Sequence, residues 1–530
     1  MSQASRRAFL QQAAALSAWG AAGPLGLSLM AMNEAAAQSS GTSDYKALVC
    51  IFLLGGNDAY NTVLATDADS WTHYVNHRNP ASRNASDTST SIALLAPGTA
   101  VDNTAAGGSP ARFGGVLPIN HSSRPGNAGR QFALHPALSQ VRGLHQAGRV
   151  AVLANVGPLT QPTTKADYAN PLFRKPAKLF SHNDQQSTWQ SFYPEGASAG
   201  WGGRMGDLLM SANSSNNAAQ ADLIRRSFTC MTPTATSVWL TGQSVLQYQT
   251  STSSVAGLGN NGKVYGNARL MTAMGNIMGS SSSPNLYVKD HQRFVRRALD
   301  ASGLLIEKMP VVGAPPWGTP GVTNVYAEPN VQVTWPSSGT QGANTLAIQL
   351  QMVARLMEAN RSGGLGIKRQ LFMVSLSGFD THDTQNQSHG DRLAQLNHAL
   401  AYFDNVLGNM PGGDMRSQVT TFTASDFGRS FTNNGDGTDH GWGGHHFIMG
   451  GAVRGNDVYG VFPQYSTADS SGNFASQDQL TNGVMLPTTS VDQYAYTLGR
   501  WMGVSQSDLL SILPNLSQFN SSSYDLGFMT

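Results

Sequence analysis

Along this chain, unbroken apolar runs of strand length alternate with stretches whose apolar residues recur at helical spacing. Residues 45–54 (YKALVCIFLL) and 150–156 (VAVLANV) are almost continuously apolar, the signature of strands buried on both faces. Residues 371–376, 419–423 and 447–453 read as further core strands, and 458–463 as a short turn-bounded one. Residues 132–144, 286–305, 345–357, 391–407 and 493–501 have the spacing of amphipathic helices. Strand following helix in repeated alternation predicts an α/β fold with a mostly parallel central sheet.

Between these elements lie polar, irregular stretches at 79–130, 212–220, 249–262, 279–284 and 311–336. The 57 glycines, with abundant Ser, Asn and Thr, predict long ordered loops rather than a helical bundle. Residues 205–340 read as a cap or insertion on the main sheet. The first 37 residues are excluded from the fold: Arg6 and Arg7 precede an Ala-rich apolar segment that ends in Ala35-Ala36-Ala37. The twin arginine predicts a bacterial Tat signal at 1–37, with the Tat translocase as partner during export and a periplasmic or extracellular destination. One large domain, 38–530, would remain. Later apolar runs are too short or too interrupted for a stable transmembrane anchor after cleavage. Charged residues make up only 12% of the chain and nearly balance, which argues against nucleic-acid binding. Cys50 and Cys230 are the only cysteines, and two free thiols are expected rather than a bridge.

The candidate chemistry collects where strands end. Residues 419–453 run from an apolar strand through Asp426, Gly428 and Arg429 into a polar loop, then past Asp439, His440, His445 and His446 into another apolar run. Six of the thirteen histidines lie between 382 and 446. Asp58 follows the first strand in GGND, and Asp380 and His382 follow the strand at 371–376. Acids and imidazoles at the carboxyl edge of a sheet suit a divalent ion (Zn, Mn, Mg or Ca) in a mono- or dinuclear centre. The plainer reading of Asp58 is a turn whose side chain bonds its own backbone. A metal that merely staples loops would use the same residues. Ser181 opens a helical pattern in SHNDQQ, where it is either an N-cap or a hydroxyl at an anion-stabilising helix terminus. GWGGR, residues 200–204, reads as a turn that presents Arg204 to an anion.

GGNDAYNT, ALHPAL, the Ser181-His182 stretch with GWGGR, GFDTH, SDFGR and GTDHGWGGHHFIMGG occur in this order. Together they strongly resemble the bacterial domain of unknown function 1501 family, whose members are often exported by Tat. The similarity runs from about Lys46 to near the C-terminus. That family is similar, distantly, to the alkaline phosphatase superfamily with its sulfatases and cofactor-independent phosphoglycerate mutases. The resemblance implies an alkaline-phosphatase-like three-layer α/β/α sandwich with two divalent metals beside a Ser or Thr nucleophile. On it, Asp58, Asp380, His382, Asp426 and one of His440, His445 and His446 would be metal ligands. Ser181 would be the nucleophile, with Arg204 or Arg429 gripping non-bridging oxygens. Two departures stand out. One residue separates Asp380 from His382 where the superfamily usually has three, and Phe427 occupies the place of a ligand histidine. One metal site is therefore altered, completed by another ligand, or absent.

The expected function is an exported metal-dependent hydrolase or transferase of phosphate or sulfate esters. The alternative is a non-catalytic cell-envelope protein that keeps a sulfatase-like scaffold to bind glycans or partner proteins.

Overall fold

The computed structural model describes residues 45–82, 90–213, 220–257, 263–279 and 284–530. The expected export signal at 1–37 lies outside the described residues. The strands that matter are, in chain order, β1 (Lys46–Leu54), β2 (Val150–Gly157), β3 (Cys230–Thr232), β4 (Tyr248–Gln249), β5 (Arg369–Ser377) and β6 (Val419–Ser425). They continue with β7 (Arg429–Asn433), β8 (Thr438–His440), β9 (Gly444–Met449), β10 (Val458–Tyr459) and β11 (Thr489–Ser490). β7 and β8 form a hairpin. The others form one nine-stranded sheet in the order β10-β2-β9-β6-β1-β5-β3-β4, with β11 also paired to β2. β1 lies at its centre between β5 and β6, both parallel to it, and β9 pairs antiparallel with β6 and β2.

The helices used below are α1 (Ala68–Arg78), α2 (His182–Ser191), α3 (Trp201–Leu209), α4 (Ala268–Gly279), α5 (Leu286–Lys308), α6 (Thr345–Gly363), α7 (Gln385–Gly408) and α8 (Val491–Met502). The period-two alternation of β1 sorts them into layers. Val49, Ile51 and Leu53 pack with Leu350, Val353, Leu396 and Phe403 of α6 and α7. Leu48, Cys50 and Phe52 pack on the opposite face with Trp189, Trp201, Met205 and Leu498 of α2, α3 and α8. The molecule is thus mixed α/β, with a largely parallel sheet and helices on both faces. Cys50 and Cys230 are both free and buried in the second of these cores.

Several expectations change in detail. Residues 132–144 are not one helix. Phe132–Leu134 pairs as a strand, Pro136 interrupts the pattern, and the helix begins at Ser139. GWGGR is not a turn but the opening of α3, where Trp201, Met205 and Leu209 recur at a spacing of four and are all buried. The strand expected from 447 starts three residues earlier, because Gly444, His445 and His446 already pair or pack within the sheet. Within 205–340, β3 and β4 join the main sheet, so that stretch is not wholly a cap.

Candidate metal centre

β6, β1 and β5 lie side by side and parallel, with Leu53 level with Ser425 and Leu54 level with Ser377. The chain segments that follow them therefore emerge at one carboxyl edge, where open α/β sheets bind ligands. Gly55, at φ +115°, makes the close approach: a Cβ there would lie 2.4 Å from the Asp380 backbone nitrogen. Gly437 does the same for the β7–β8 hairpin, where a Cβ would come within 2.3 Å of the His382 carbonyl carbon. The hairpin is pinned by the Thr438 N–H, which donates to the Thr381 carbonyl at 3.0 Å.

Asp380 is the centre of the cluster. Its Oδ1 lies 3.1 Å from His382 Nε2 and 3.5 Å from both His182 Nε2 and His440 Nε2. His382 Nε2 and His440 Nε2 are 3.0 Å apart. Ligand-capable atoms of His182, Asp380 and His440 all fall within 4.8 Å of one another. Each imidazole turns its other nitrogen to an acceptor. His182 Nδ1 is 2.7 Å from Asp426 Oδ2, His440 Nδ1 is 2.8 Å from the Phe180 carbonyl, and His382 Nδ1 faces Asp439 at 3.6 Å. With Nδ1–H of His182 and His440 donating outward, their Nε2 lone pairs face Asp380, which is how metal-binding histidines are held, and His382 Nε2 faces the same oxygen. His182 Nε2 is buried with no hydrogen-bond partner, and so is Asp426 Oδ1. That orphaned nitrogen, aimed at an acid and a second imidazole, fits a divalent cation of the nitrogen-preferring kind.

The electrostatics agree with the arrangement. The Asp426 hydrogen bond raises the His182 pKa, which burial opposes and the charges of Asp426 and Asp380 reinforce. Burial lowers that of His440, against the hydrogen bond to Phe180. Burial alone would raise Asp380, but the hydrogen bond and charge of Arg429 outweigh it and hold the carboxyl below its usual value. Phe427, in the place of the expected histidine, packs its ring 4.8 Å from His182 and 4.6 Å from His440, walling the site with a hydrocarbon face.

The expected residues thus separate into groups. Asp380, His382 and His440 are brought together. Asp426 is fully buried beneath His182 and orients it, while Gln186 Nε2 donates to the same oxygen at 2.8 Å. Asp58 ends on the same sheet edge, yet its carboxylate faces inward. Both oxygens accept from the Arg78 guanidinium, Oδ2 also accepts from Gln385 Nε2 at 2.6 Å, and Oδ1 caps the Tyr60 N–H at 3.1 Å. Those bonds occupy a carboxylate with no solvent exposure. His445 and His446 point into the core from β9. His445 stacks on Phe462 and accepts the Asn155 N–H at 3.0 Å, and His446 meets the edge of Trp189. Burial pushes both imidazoles down to about 3, so both are neutral core groups.

Neither arginine faces an anion at the cluster: Arg429 is engaged by internal acceptors and Arg204 is remote. Arg429 donates to the carbonyls of Gly55, Gly56, Phe379 and Thr438 and to Asp380, tying the loops after β1, β5 and β6 together. Arg204 donates to the Ser191 carbonyl at the far end of α2, about 13 Å along the helix from His182. Ser181 is the N-cap residue of α2, but its hydroxyl donates to Asp184 at 2.8 Å instead of accepting a backbone N–H. Lys178 and Phe180, just before it, hold left-handed backbone conformations that non-glycine residues rarely adopt.

His182 is the ligand candidate that sequence reasoning passed over in favour of its neighbour Ser181. The available signal was an imidazole in the first turn of a polar helix. The distance in sequence to Asp426, 244 positions, hid the pairing.

A family model described as "Protein of unknown function (DUF1501)" matches residues 341–513. That span holds Asp380, His382, Asp426 and His440, and His182 lies before it. No curated protein matches the chain.

Proposed function

We propose that this chain binds one divalent transition ion through His182, Asp380, His382 and His440, and uses it to hydrolyse or transfer phosphate or sulfate esters. The observation that carries the reading is the shared orientation of the three imidazoles, each Nδ1 turned to an acceptor and each Nε2 to Asp380. A bound ion would supply Lewis-acid polarisation of an ester oxygen and stabilise the leaving group. The protein's own groups do the rest. Asp426 fixes the tautomer and angle of His182, and Arg429 holds Asp380 ionised. Asp380 and His382 remain 47% and 45% exposed, which leaves an open side for substrate. Ser181, adjacent to His182, is the nucleophile candidate, with its proton directed to Asp184. The Ser181 hydrogen bond keeps the Asp184 pKa low, so that carboxylate orients the hydroxyl better than it deprotonates it. Lys178, 65% exposed and 3.3 Å from Asp184, is the nearby cation that can meet an anionic substrate. A distant kinship with the alkaline phosphatase superfamily and twin-arginine export to the periplasm or cell exterior belong to the same proposal.

The second reading, a non-catalytic envelope binding protein, is favoured by the commitment of Asp58 and Arg429 to internal bonds and by the distance of Arg204 from the cluster. The test is metal content by mass spectrometry together with turnover of 4-nitrophenyl phosphate and 4-nitrophenyl sulfate, for the wild type and Ser181→Ala. Near-stoichiometric metal with turnover that Ser181→Ala abolishes supports the enzyme. Stoichiometric metal without turnover of either ester leaves the binding protein, and no metal uptake sinks the hydrolase reading and likewise leaves a binding scaffold.

A further inference from the structure

Thr381 stands between Asp380 and His382, and Thr438 stands two residues before His440 in β8. Both are buried, and both donate their hydroxyls to one acceptor, Gln385 Oε1, at 3.3 Å and 2.6 Å respectively. Gln385 opens α7 and is itself fully buried. The other end of its amide, Nε2, donates to Asp58 Oδ2 at 2.6 Å. Chemistry fixes the direction of that amide. Burial pushes the Asp58 carboxyl up, but the charge and hydrogen bond of Arg78 outweigh it and keep the group ionised. An ionised carboxylate only accepts, so the amide NH2 faces Asp58 and the amide oxygen faces the threonines. The β7–β8 hairpin that carries His440 is fastened from the same side at two further points. Arg78 Nη2 donates to the Ser430 carbonyl of β7 at 2.8 Å. Helix α7 has no side-chain cap of its own; the N–H groups of Thr384 and Gln385 donate instead to the carboxylate and the carbonyl of Asp436, each at 3.0 Å.

We propose that Gln385 is a positioning residue for the imidazole cluster, an inference that rests on the metal-binding reading of that cluster. Its amide ties Thr381 to Thr438. It thereby fixes the distance between the loop that carries Asp380 and His382 and the strand that carries His440. Asp58 serves the same end by setting the direction of the amide, which gives this sheet-edge acid a task other than ligation. A buried amide costs free energy unless both of its ends are bonded, and a fully satisfied buried network is rigid. That rigidity matters because metal–ligand distances hold to within about 0.2 Å, so a hairpin free to drift further binds an ion less well. An apolar side chain of the same length fills the same space and makes neither bond.

The test is zinc titration of the full chain, with the visible spectrum of its cobalt(II) form, for the wild type, Gln385→Met, Thr438→Val and the double variant. Both substitutions keep the volume and delete the bonds. Thr438→Val leaves Asp58 with all its partners, so it remains informative if Gln385→Met fails to fold. Each single variant should weaken zinc binding about tenfold with the saturating stoichiometry unchanged, and should alter the cobalt ligand-field bands. The double variant should lose no more than Gln385→Met alone, because the two positions act through one bond. Variants that lose thermal stability yet keep the zinc affinity and the cobalt spectrum overturn the proposal, and so do fully additive losses. A wild type that takes up neither metal defeats the metal-binding reading by itself, and the metal-free protein then decides the role of Gln385 by nuclear magnetic resonance. Imidazole C–H signals of His382 and His440 that move in both single variants, while those of His445 and His446 stay, support it. Signals of His382 and His440 that do not move overturn it.

Discussion

Asp58 and Asp380 are both acids just past parallel core strands, yet their neighbours give them opposite work. Asp58 is enclosed by Arg78 and Gln385, whereas Asp380 keeps an oxygen facing three imidazoles. Asp380→Ala and His182→Ala should each lower bound metal to near background, and Asp380→Ala should also cost stability in the metal-free protein, because it removes the carboxylate paired with the buried Arg429 guanidinium. Asp58→Ala should leave metal stoichiometry in the folded protein unchanged but cost about 3–5 kcal/mol, because it strands a buried guanidinium. Metal analysis alongside denaturant unfolding separates the two roles. Asp426→Asn is subtler. An amide cannot hold the His182 Nδ1 proton with the same strength, so metal affinity should fall about 10- to 100-fold while the fold persists. Isothermal titration with zinc measures this.

At the scale of elements, β9 explains why a cluster of histidines in sequence is not a cluster in space. β9 pairs with β6 and β2, which carries His445 and His446 into the sheet interior. His440 belongs instead to the hairpin that folds back over the sheet edge. Helix α8 offers a separate test. Asp492 in its first turn is 1% exposed, and burial pushes its carboxyl up to about 7 although the Asn515 N–H donates to it at 3.0 Å. A carboxyl whose folded pKa exceeds its unfolded value loses stability as pH rises from about 4 towards the folded value. Asp492→Asn should therefore stabilise the protein above about pH 7, with the gain vanishing below about pH 4. Urea melts at pH 4 and pH 8 check the sign.

For the whole molecule, the proposed ion ties together segments that follow β5 and β6 and precede or begin α2. Binding to the folded state alone should stabilise the protein by about 2.7 kcal/mol at a hundredfold excess over the dissociation constant, so the melting temperature should rise with metal concentration. Chelation should reverse it. Protons compete for the same lone pairs. Because the Asp426 hydrogen bond raises the His182 pKa, affinity should fall as pH drops through that raised value, earlier than for a free imidazole. Zinc titrations across pH 5–8 test the direction.

The sheet was legible without coordinates because its strands are continuous apolar runs, and burial on both faces leaves few other places for 45–54, 150–156, 371–376 and 419–423. Gly and acid at the ends of those runs were equally legible, and with them the edge where Asp380, Asp426 and His440 meet. Local pattern alone determined these things, since hydrophobic period and turn chemistry act over a few residues. Which way each side chain turns was decided only in three dimensions. Arg78 claims Asp58, β9 buries two histidines, α3 takes Arg204 away, and α2 brings His182 onto Asp426 across 244 positions. Each of those outcomes depends on a partner distant in sequence, and a buried charge or an imidazole lone pair has no local signature of the group that will satisfy it.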